Sequence, residues 1–94
     1  MYSRQFDPTI HLFKVLAHPR RLQIIYSLKN QEQCVSDICK MLDLPQANAS
    51  QHLMILRGAG IVISRRTGKR VVYKLAHPKI IEETDLLREM VIQK

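Results

Sequence analysis

The stretch "LPQANASQHLMILRGAG", residues 44–60, decides the fold of this chain. A proline near its start and glycines at its end are typical of the boundaries of one helix. At about 100° per residue, Ala49, Leu53 and Leu56 share one face of that helix. Gln51 points the opposite way. The stretch therefore predicts an amphipathic helix whose first turns expose small and amide-bearing side chains.

A second, shorter helix is predicted directly before it. The segment "CVSDICKML", residues 34–42, repeats apolar side chains at the spacing of one helical stripe. The sequence "DLP" then interrupts the helix, because a residue that precedes proline is disfavoured in helical conformation. Two short helices joined by a tight turn form a helix-turn-helix, whose second helix enters the major groove of DNA.

The second of these helices carries side chains suited to reading DNA bases. Amides pair bidentately with adenine, hydroxyl groups bond several base-edge atoms, and small residues let a helix sit deep in the groove. We therefore predict four base-reading residues: Gln46, Asn48, Ser50 and Gln51. A surface helix with incidental polar residues is the alternative. His52 lies near the edge of the apolar face, where a structural role is favoured over a phosphate contact.

After Gly60 the apolar spacing changes from helical to alternating, which predicts a β-hairpin over "IVISRRTGKRVVYKL", residues 61–75. Its inward-facing side chains are predicted to be Ile61, Ile63, Val71, Tyr73 and Leu75. A basic hairpin after a recognition helix is a wing, whose cations hold phosphates or a minor groove without reading sequence. The predicted wing contacts are Arg65, Arg66, Lys69 and Arg70. The alternative is an edge hairpin kept soluble by its charges.

The positive charge of the chain is concentrated in the same region. The sequence has 15 Lys and Arg residues against 8 Asp and Glu residues, a formal net charge of +7. All of the acidic residues lie outside residues 44–81. A basic block on a folded domain favours a polyanionic partner, double-stranded DNA first and an acidic membrane surface second. A solvated basic face without a partner is the third interpretation.

Three more helices are predicted around these elements. The segments "DPTIHLFKVL", residues 7–16, and "HPRRLQIIYSLKN", residues 18–30, each place a proline at the first helical position. The segment "PKIIEETDLLREMVIQK", residues 78–94, also begins at a proline. The predicted fold class is mainly α, an α+β winged helix-turn-helix of about five helices. A two-stranded β-hairpin wing separates its recognition helix from its C-terminal helix.

The terminal helices carry more apolar surface than one small domain needs to bury. Residues 1–94 are predicted to form a single domain whose first and last helices pair with those of a second copy across a twofold axis. The predicted interface residues are Ile10, Phe13, Ile80, Leu87 and Val91. The alternative is that the last helix packs back onto its own core.

Several other classes of protein are disfavoured. No segment reaches the roughly 20 apolar residues of a membrane span, and the N-terminus lacks the apolar run of a signal peptide, which favours a cytoplasmic protein. The only two cysteines, Cys34 and Cys39, are too close in sequence to staple the fold, and cytosolic thiols stay reduced. No acid–base cluster accompanies Cys34, so we expect no enzyme and no required cofactor.

Four segments resemble the successive signature blocks of the ArsR/SmtB family of winged-helix repressors. They are "FKVLAHPRRLQIIYSL" at 13–28, "CVSDIC" at 34–39, "QANASQHLMILRGAGIV" at 46–62 and "RRTGKRVVYKL" at 65–75. The resemblance implies a homodimeric prokaryotic transcriptional repressor, associated with the nucleoid, that leaves a palindromic operator when an inducer binds. Inducers in such a family are metal or metalloid ions, or sulfur and redox species.

The sensing site that the resemblance implies is only partly present. Arsenic-responsive members carry Cys-Val-Cys-Asp-Leu-Cys on this helix, and here the same frame has Ser36 in place of the middle thiol. Two sulfurs and a hydroxyl form a poor ligand set for a thiophilic metal or metalloid. The other metal site of the family, on the last helix, has Asp85 but no histidine. Cys34 and Cys39 stay as candidate sensor thiols, with no ligand role as the alternative.

The two cysteines are predicted to differ in environment. Cys34 takes the N-cap at the exposed start of its helix, with Asp37 three residues on. A thiol there can have a lowered pKa, although the charge of Asp37 opposes this. Cys39 lies on the apolar stripe, where a thiol acts as a small hydrophobe. His11 and His18 are candidates to join Cys34 from a neighbouring subunit.

These observations favour a homodimeric DNA-binding repressor, and they leave open whether a thiol-directed inducer, a metal or metalloid or a redox or sulfur species, releases it. The alternative is a winged-helix module for protein interaction without sequence-specific DNA binding, because this fold alone does not fix its function.

Overall fold

Five helices and three short strands make up the described part of the chain. The structure is a computed structural model that describes residues 7–92, with side chains up to residue 90. The elements are α1 (Pro8–Leu16), α2 (Pro19–Ser27), β1 (Gln33–Cys34), α3 (Val35–Leu42), α4 (Gln46–Gly58), β2 (Val62–Thr67), β3 (Arg70–Leu75) and α5 (Ile80–Ile92). The predicted fold class is confirmed: α3 and α4 form the helix-turn-helix, and the hairpin of β2 and β3 lies between α4 and α5.

Local side-chain chemistry fixes where the helices begin and end. Before α1, the Asp7 carboxylate accepts a hydrogen bond of 2.9 Å from the backbone N–H of Thr9. Before α2, the His18 Nδ1 atom accepts one of 3.2 Å from the backbone N–H of Arg20. The helix α3 ends at Leu42 and is followed by Asp43 as its C-cap, whose φ of 53° is left-handed and tolerated by aspartate. The turn between α3 and α4 is thus encoded locally.

The core lies between the three central helices and the sheet. Its largest fully buried side chains come from α2, α3, α4 and β2: Ile24, Ile25, Ile38, Leu53, Leu56 and Val62. Ala49 is also fully buried, so the predicted inner face of α4 is confirmed. Fully burying a Leu or Ile side chain contributes about 1.5–3 kcal/mol, so this set fixes the orientation of α4.

The sheet has one more strand than the predicted hairpin. Its order is β1-β3-β2 with antiparallel pairing, and Gln33 and Cys34 of β1 lie opposite Tyr73 and Val72 of β3. A strand of two residues is too short to produce an alternating pattern, so the sequence alone did not reveal it.

The inward phase of β2 differs from the prediction. The strand begins at Val62, which is 1% exposed, so the next side chain along, Ile63, points to the opposite face and is 45% exposed. Ile61 is buried, but it precedes the strand. The prediction for Ile63 was wrong because the alternation was counted from Ile61.

On β3, two of the predicted inward side chains pack against the core, since Leu75 is buried and Tyr73 is half-buried. The third, Val71, is half-buried like its neighbour Val72, so its burial does not distinguish the two faces.

The tip of the hairpin is a tight turn. Thr67 and Arg70 are the last paired residues, so Gly68 and Lys69 form a two-residue loop. Gly68 has a φ of 63°, which a side chain would strain. The tip therefore presents Lys69 between two strands that carry Arg66 and Arg70.

Candidate nucleic-acid interface

The N-terminal half of α4 presents polar side chains to the outside. Gln46, Asn48 and Gln51 are exposed, and Ser50 is half-buried. Within the described residues none of these four side chains takes part in a hydrogen bond. The donors and acceptors of these four side chains are therefore not used by other residues in the described part of the chain, and those of Gln46, Asn48 and Gln51 are exposed to another molecule.

A further exposed residue on the same face was not among the predicted contacts. Met54 is 72% exposed and lies three residues beyond Gln51, one helical turn further along α4. Together with Ser50, Arg57, Gly58 and Tyr73 it lines a surface cavity of about 480 Å³. The helical phase could have identified Met54, because it shares the outer face with Ala47 and Gln51.

The wing cation Arg65 is bound within the molecule. Its Nη2 atom lies 2.6 Å from Oε2 of Glu32, and its Nε atom donates to Oε1 at 3.2 Å. Its Nη1 atom donates to Oγ1 of Thr67 at 3.0 Å. The hydrogen bond from Arg65 lowers the pKa of Glu32, and the same bond raises the pKa of the guanidinium. All three guanidinium nitrogens thus have a protein partner.

The four predicted wing contacts fall into two groups. The Nη2 atom of Arg70 donates to the Cys34 sulfur at 3.0 Å, so Arg70, like Arg65, is engaged inside the molecule. Arg66 and Lys69 are exposed and make no hydrogen bond or ion pair to any residue in the described part of the chain. The strand pairing puts Arg65 and Arg70 on one face of the hairpin and Arg66 on the other, while Lys69 lies in the loop.

Cys34 occupies the predicted N-cap of α3 but is not exposed. It is 6% exposed, because the pairing of β1 with β3 places it opposite Val72. Cys39, predicted to be buried, is half-buried. Both thiols are free. The predicted contact with Asp37 is present: its carboxylate accepts a hydrogen bond of 3.3 Å from the backbone N–H of Cys34.

The Cys34 sulfur lies among several polar groups. The Oδ2 atom of Asp37 lies at 3.0 Å and Oγ of Ser36 at 3.1 Å. The hydrogen bond from the thiol to Asp37 is the largest single influence and raises the pKa of Cys34. The opposing hydrogen bonds from Ser36, the Asp37 backbone and Arg70 outweigh it, and the pKa of Cys34 is lowered.

Residues 7–90 do not assemble a metal site of their own. Among them no group of three or more His, Cys, Asp and Glu side chains lies close enough to hold a metal ion. His18, a candidate to join Cys34, instead packs against His52 with ring centroids 4.6 Å apart. A ligand set completed by a second subunit stays a prediction.

His52 has the structural position that its helical phase predicted. It is half-buried, and the Nε atom of Arg21 donates to its Nδ1 atom at 3.4 Å. Burial is the main cause that lowers the pKa of His52, and the charges of His18, Arg21 and Arg20 lower it further. The neutral imidazole therefore connects α4 to the start of α2.

An apolar face lies between α1 and α5. Ile10, Phe13 and Leu87 of the predicted interface are 43%, 55% and 48% exposed. Phe13 and Leu87 line a cavity of about 380 Å³ between the two helices. Ile80 instead packs, partly buried, against the domain's own core, since α5 is anchored there by its first turn. The side chain of Val91 lies outside the described residues.

Polar contacts hold α5 against α2. The Tyr26 hydroxyl donates to Oδ1 of Asp85 at 2.5 Å, and the Arg88 guanidinium carbon lies 4.9 Å from the centre of the Tyr26 ring. Burial, followed by the hydrogen bond to Asp85, raises the pKa of Tyr26. These contacts fix the direction in which the exposed apolar residues of α5 project.

The helix-turn-helix and the basic hairpin that follows it in the chain define a winged helix-turn-helix protein. None of the helices within residues 7–92 is long and apolar enough to cross a membrane. The family model described as "Bacterial regulatory protein, arsR family" matches residues 18–64. The chain belongs to this family, which is one of transcriptional regulators.

Two curated proteins are similar in sequence. The HTH-type transcriptional repressor SmtB of Mycobacterium tuberculosis (strain ATCC 25618 / H37Rv) is 40% identical over 70 residues, which are 74% of this chain and 52% of that protein. The arsenical resistance operon repressor of Escherichia coli (strain K12) is 44% identical over 68 residues, 71% of this chain and 58% of that protein. The chain thus spans a little over half the length of these relatives.

A solved structure is similar over almost the whole chain. It is the homodimeric winged helix-turn-helix DNA-binding domain Mb0332 from Mycobacterium bovis, described as a possible ArsR-family transcriptional regulator. The TM-score is 0.83 with 28% sequence identity, and the match covers 99% of this chain and 89% of that chain.

Proposed function

We propose that this protein is a homodimeric transcriptional repressor that binds a palindromic DNA operator. One observation supports it above the others: within the described residues, the four predicted base-reading side chains of α4 make no hydrogen bond, and two wing cations, Arg66 and Lys69, have no partner. The family, and the fact that both curated relatives are named as repressors, support the same function.

The proposed DNA contacts follow the chemistry of each group. Gln46, Asn48, Ser50 and Gln51 read base edges, and Met54 contacts a thymine methyl or sugar at the rim of the groove. Arg66 and Lys69 hold phosphates, because nothing in the described part of the chain competes for them. Arg65 and Arg70 were also predicted as wing contacts, but in the structure they bind Glu32 and Cys34.

The proposed dimer uses the apolar face of α1 and α5. The exposed side chains on this face include Phe13, Leu87 and Met90, which is 76% exposed. An apolar patch of this kind on a small domain favours burial against another molecule. The M. bovis relative is described as homodimeric. A twofold axis through this face would place two recognition helices about one DNA turn, roughly 34 Å, apart.

We infer that an inducer acts at Cys34. Its sulfur connects Arg70 on β3 to the first turn of α3, so a chemical change at the sulfur would disturb both DNA-binding elements. The E. coli relative is named for arsenical resistance, but the hydroxyl of Ser36 stands where a third thiol would complete a metalloid site. Oxidant or persulfide chemistry at a single thiol therefore fits these residues better than metalloid binding.

Operator release tests the proposed inducer. The purified dimer is bound to its duplex and challenged in turn with arsenite, zinc, persulfide and peroxide. We expect release by persulfide or peroxide that is lost in Cys34→Ser and kept in the matched variant Cys39→Ser. Equal responses of both variants, or release by arsenite alone, would contradict the assignment to Cys34.

Duplex binding across a salt series tests the function itself. A protein whose Lys and Arg side chains displace counterions loses affinity steeply as salt is added. Binding that is absent or independent of salt would favour the alternative, a winged-helix module for protein interaction.

A further inference from the structure

We propose that Glu32 is a positioning residue that anchors the wing through Arg65, which makes Arg65 part of the wing's support and not a contact to DNA. The inference rests on the proposed DNA-binding function. It assigns opposite roles to Arg65 and Arg66, two adjacent residues of the same strand.

The ion pair joins the two opposite edges of the sheet. Glu32 directly precedes β1, whereas Arg65 lies in the middle of β2, and β3 separates these two strands. Arg65 and Cys34 both lie opposite Val72 of β3. The bidentate contact therefore crosses the outer face of the sheet and ties β2, the edge strand of the wing, to the chain that leads into α3.

The geometry leaves little of Arg65 for a phosphate. A guanidinium binds phosphate best through two parallel N–H groups. Here the Nε and Nη2 atoms both donate to Glu32, and Nη1 donates to Thr67. Binding DNA through Arg65 would require this contact to break, whereas Arg66 meets no such competition within the described residues.

The pair is exposed enough to be removed without loss of the fold. The Arg65 and Glu32 side chains are 57% and 34% exposed, and solvent-exposed pairs contribute little to stability. Both side chains lie outside the hydrophobic core. A variant at either position should therefore fold and report on wing placement.

The experiment compares DNA affinity and its salt dependence in four variants. Glu32→Gln takes from the anchor its negative charge and one of its two acceptor oxygens, and Glu82→Gln makes the same charge change on α5, away from the wing. Arg65→Glu removes the anchor and places an acid on the wing. Combining Arg65→Glu with Glu32→Arg restores an ion pair of reversed sign.

The anchor predicts a specific pattern of affinities. Glu32→Gln should lose about two- to fivefold in affinity despite its gain in net positive charge, the range that exposed ion pairs typically supply. Glu82→Gln should not lose affinity. The reversed pair should return affinity to within about twofold of the wild type, with an unchanged salt slope. Tighter binding by Glu32→Gln, or a reversed pair as weak as Arg65→Glu, would overturn the proposal.

Amide hydrogen exchange separates this inference from the proposed function. Without the anchor, exchange in residues 62–67 should speed up in Glu32→Gln and not in Glu82→Gln, whether or not DNA is bound. Unchanged exchange in Glu32→Gln overturns the anchor even if DNA binding stands. If the wild type binds no duplex, the proposed function fails, while the exchange rates still decide whether Glu32 holds the wing.

Discussion

The recognition helix and the wing differ in how many of their predicted contact residues already form hydrogen bonds or ion pairs within the protein. On α4 the four predicted base-reading residues make no hydrogen bond inside the described structure, whereas two of the four predicted wing contacts, Arg65 and Arg70, are bound to Glu32 and Cys34. The comparison shows that a positive charge on the wing is not by itself available to another molecule. A partner elsewhere in the fold can already occupy it.

The largest effect is expected on the buried side of α4. Leu53→Ala should lower the free energy of unfolding by about 2–5 kcal/mol, because it leaves a cavity beside fully buried neighbours. The adjacent Met54→Ala, at a residue that is 72% exposed, should change it by no more than about 0.5 kcal/mol. Urea denaturation measures both. A large loss in Met54→Ala would show that α4 lacks the free outer face described above.

A smaller effect separates base reading from phosphate binding. Gln51→Ala should cost about 1–3 kcal/mol on the operator and little on random duplex, because an amide pair to a base edge is lost. Arg66→Ala should weaken binding to both duplexes by a similar factor. Fluorescence anisotropy with both duplexes gives the two ratios. If both variants lost affinity equally on both duplexes, the division between helix and wing would be wrong.

The smallest effect is a pH dependence of the contact between α4 and α2. Because the folded pKa of His52 is lowered, the unfolded chain takes up the proton at higher pH than the folded one. Neutral His52 therefore adds to the free energy of unfolding at any pH above its unfolded pKa of about 6.5. This contribution is lost as the pH falls through the lower pKa that His52 has in the folded protein.

Urea midpoints at about pH 7.5 and pH 5 measure this dependence. His52→Gln should reduce the change between them, since glutamine can still accept from Arg21 but does not titrate. The matched variant is His77→Gln at an exposed position. Equal pH dependence of the urea midpoint in the wild type and His52→Gln would show that His52 is not its cause.

Features set by local periodicity were predictable from the sequence. The inner face of α4 follows from the helical spacing of Ala49, Leu53 and Leu56, and the cap at Asp7 follows from its position before Pro8. Such features depend on residues within one or two turns of each other, so the sequence carries them directly.

Features set by pairing between distant segments were not predictable. The strand β1 exists only because Gln33 and Cys34 meet β3, and the burial of Cys34 follows from that pairing. The contact between Arg65 and Glu32 joins residues 33 positions apart. Neither leaves a periodic pattern in the sequence. The phase of Ile63 was missed for a local reason, since the start of β2 lies one residue later than the alternation suggested.

The salt dependence of DNA binding in Arg66→Gln and Arg65→Gln tests the difference within the wing most directly. Each phosphate contact contributes about 0.9 to the slope of log affinity against log salt concentration. For a dimer, Arg66→Gln should reduce that slope by about 2, whereas Arg65→Gln should weaken binding with the slope unchanged. An equal reduction of the slope in both variants would show that Arg65 leaves Glu32 to hold a phosphate, and would contradict the account.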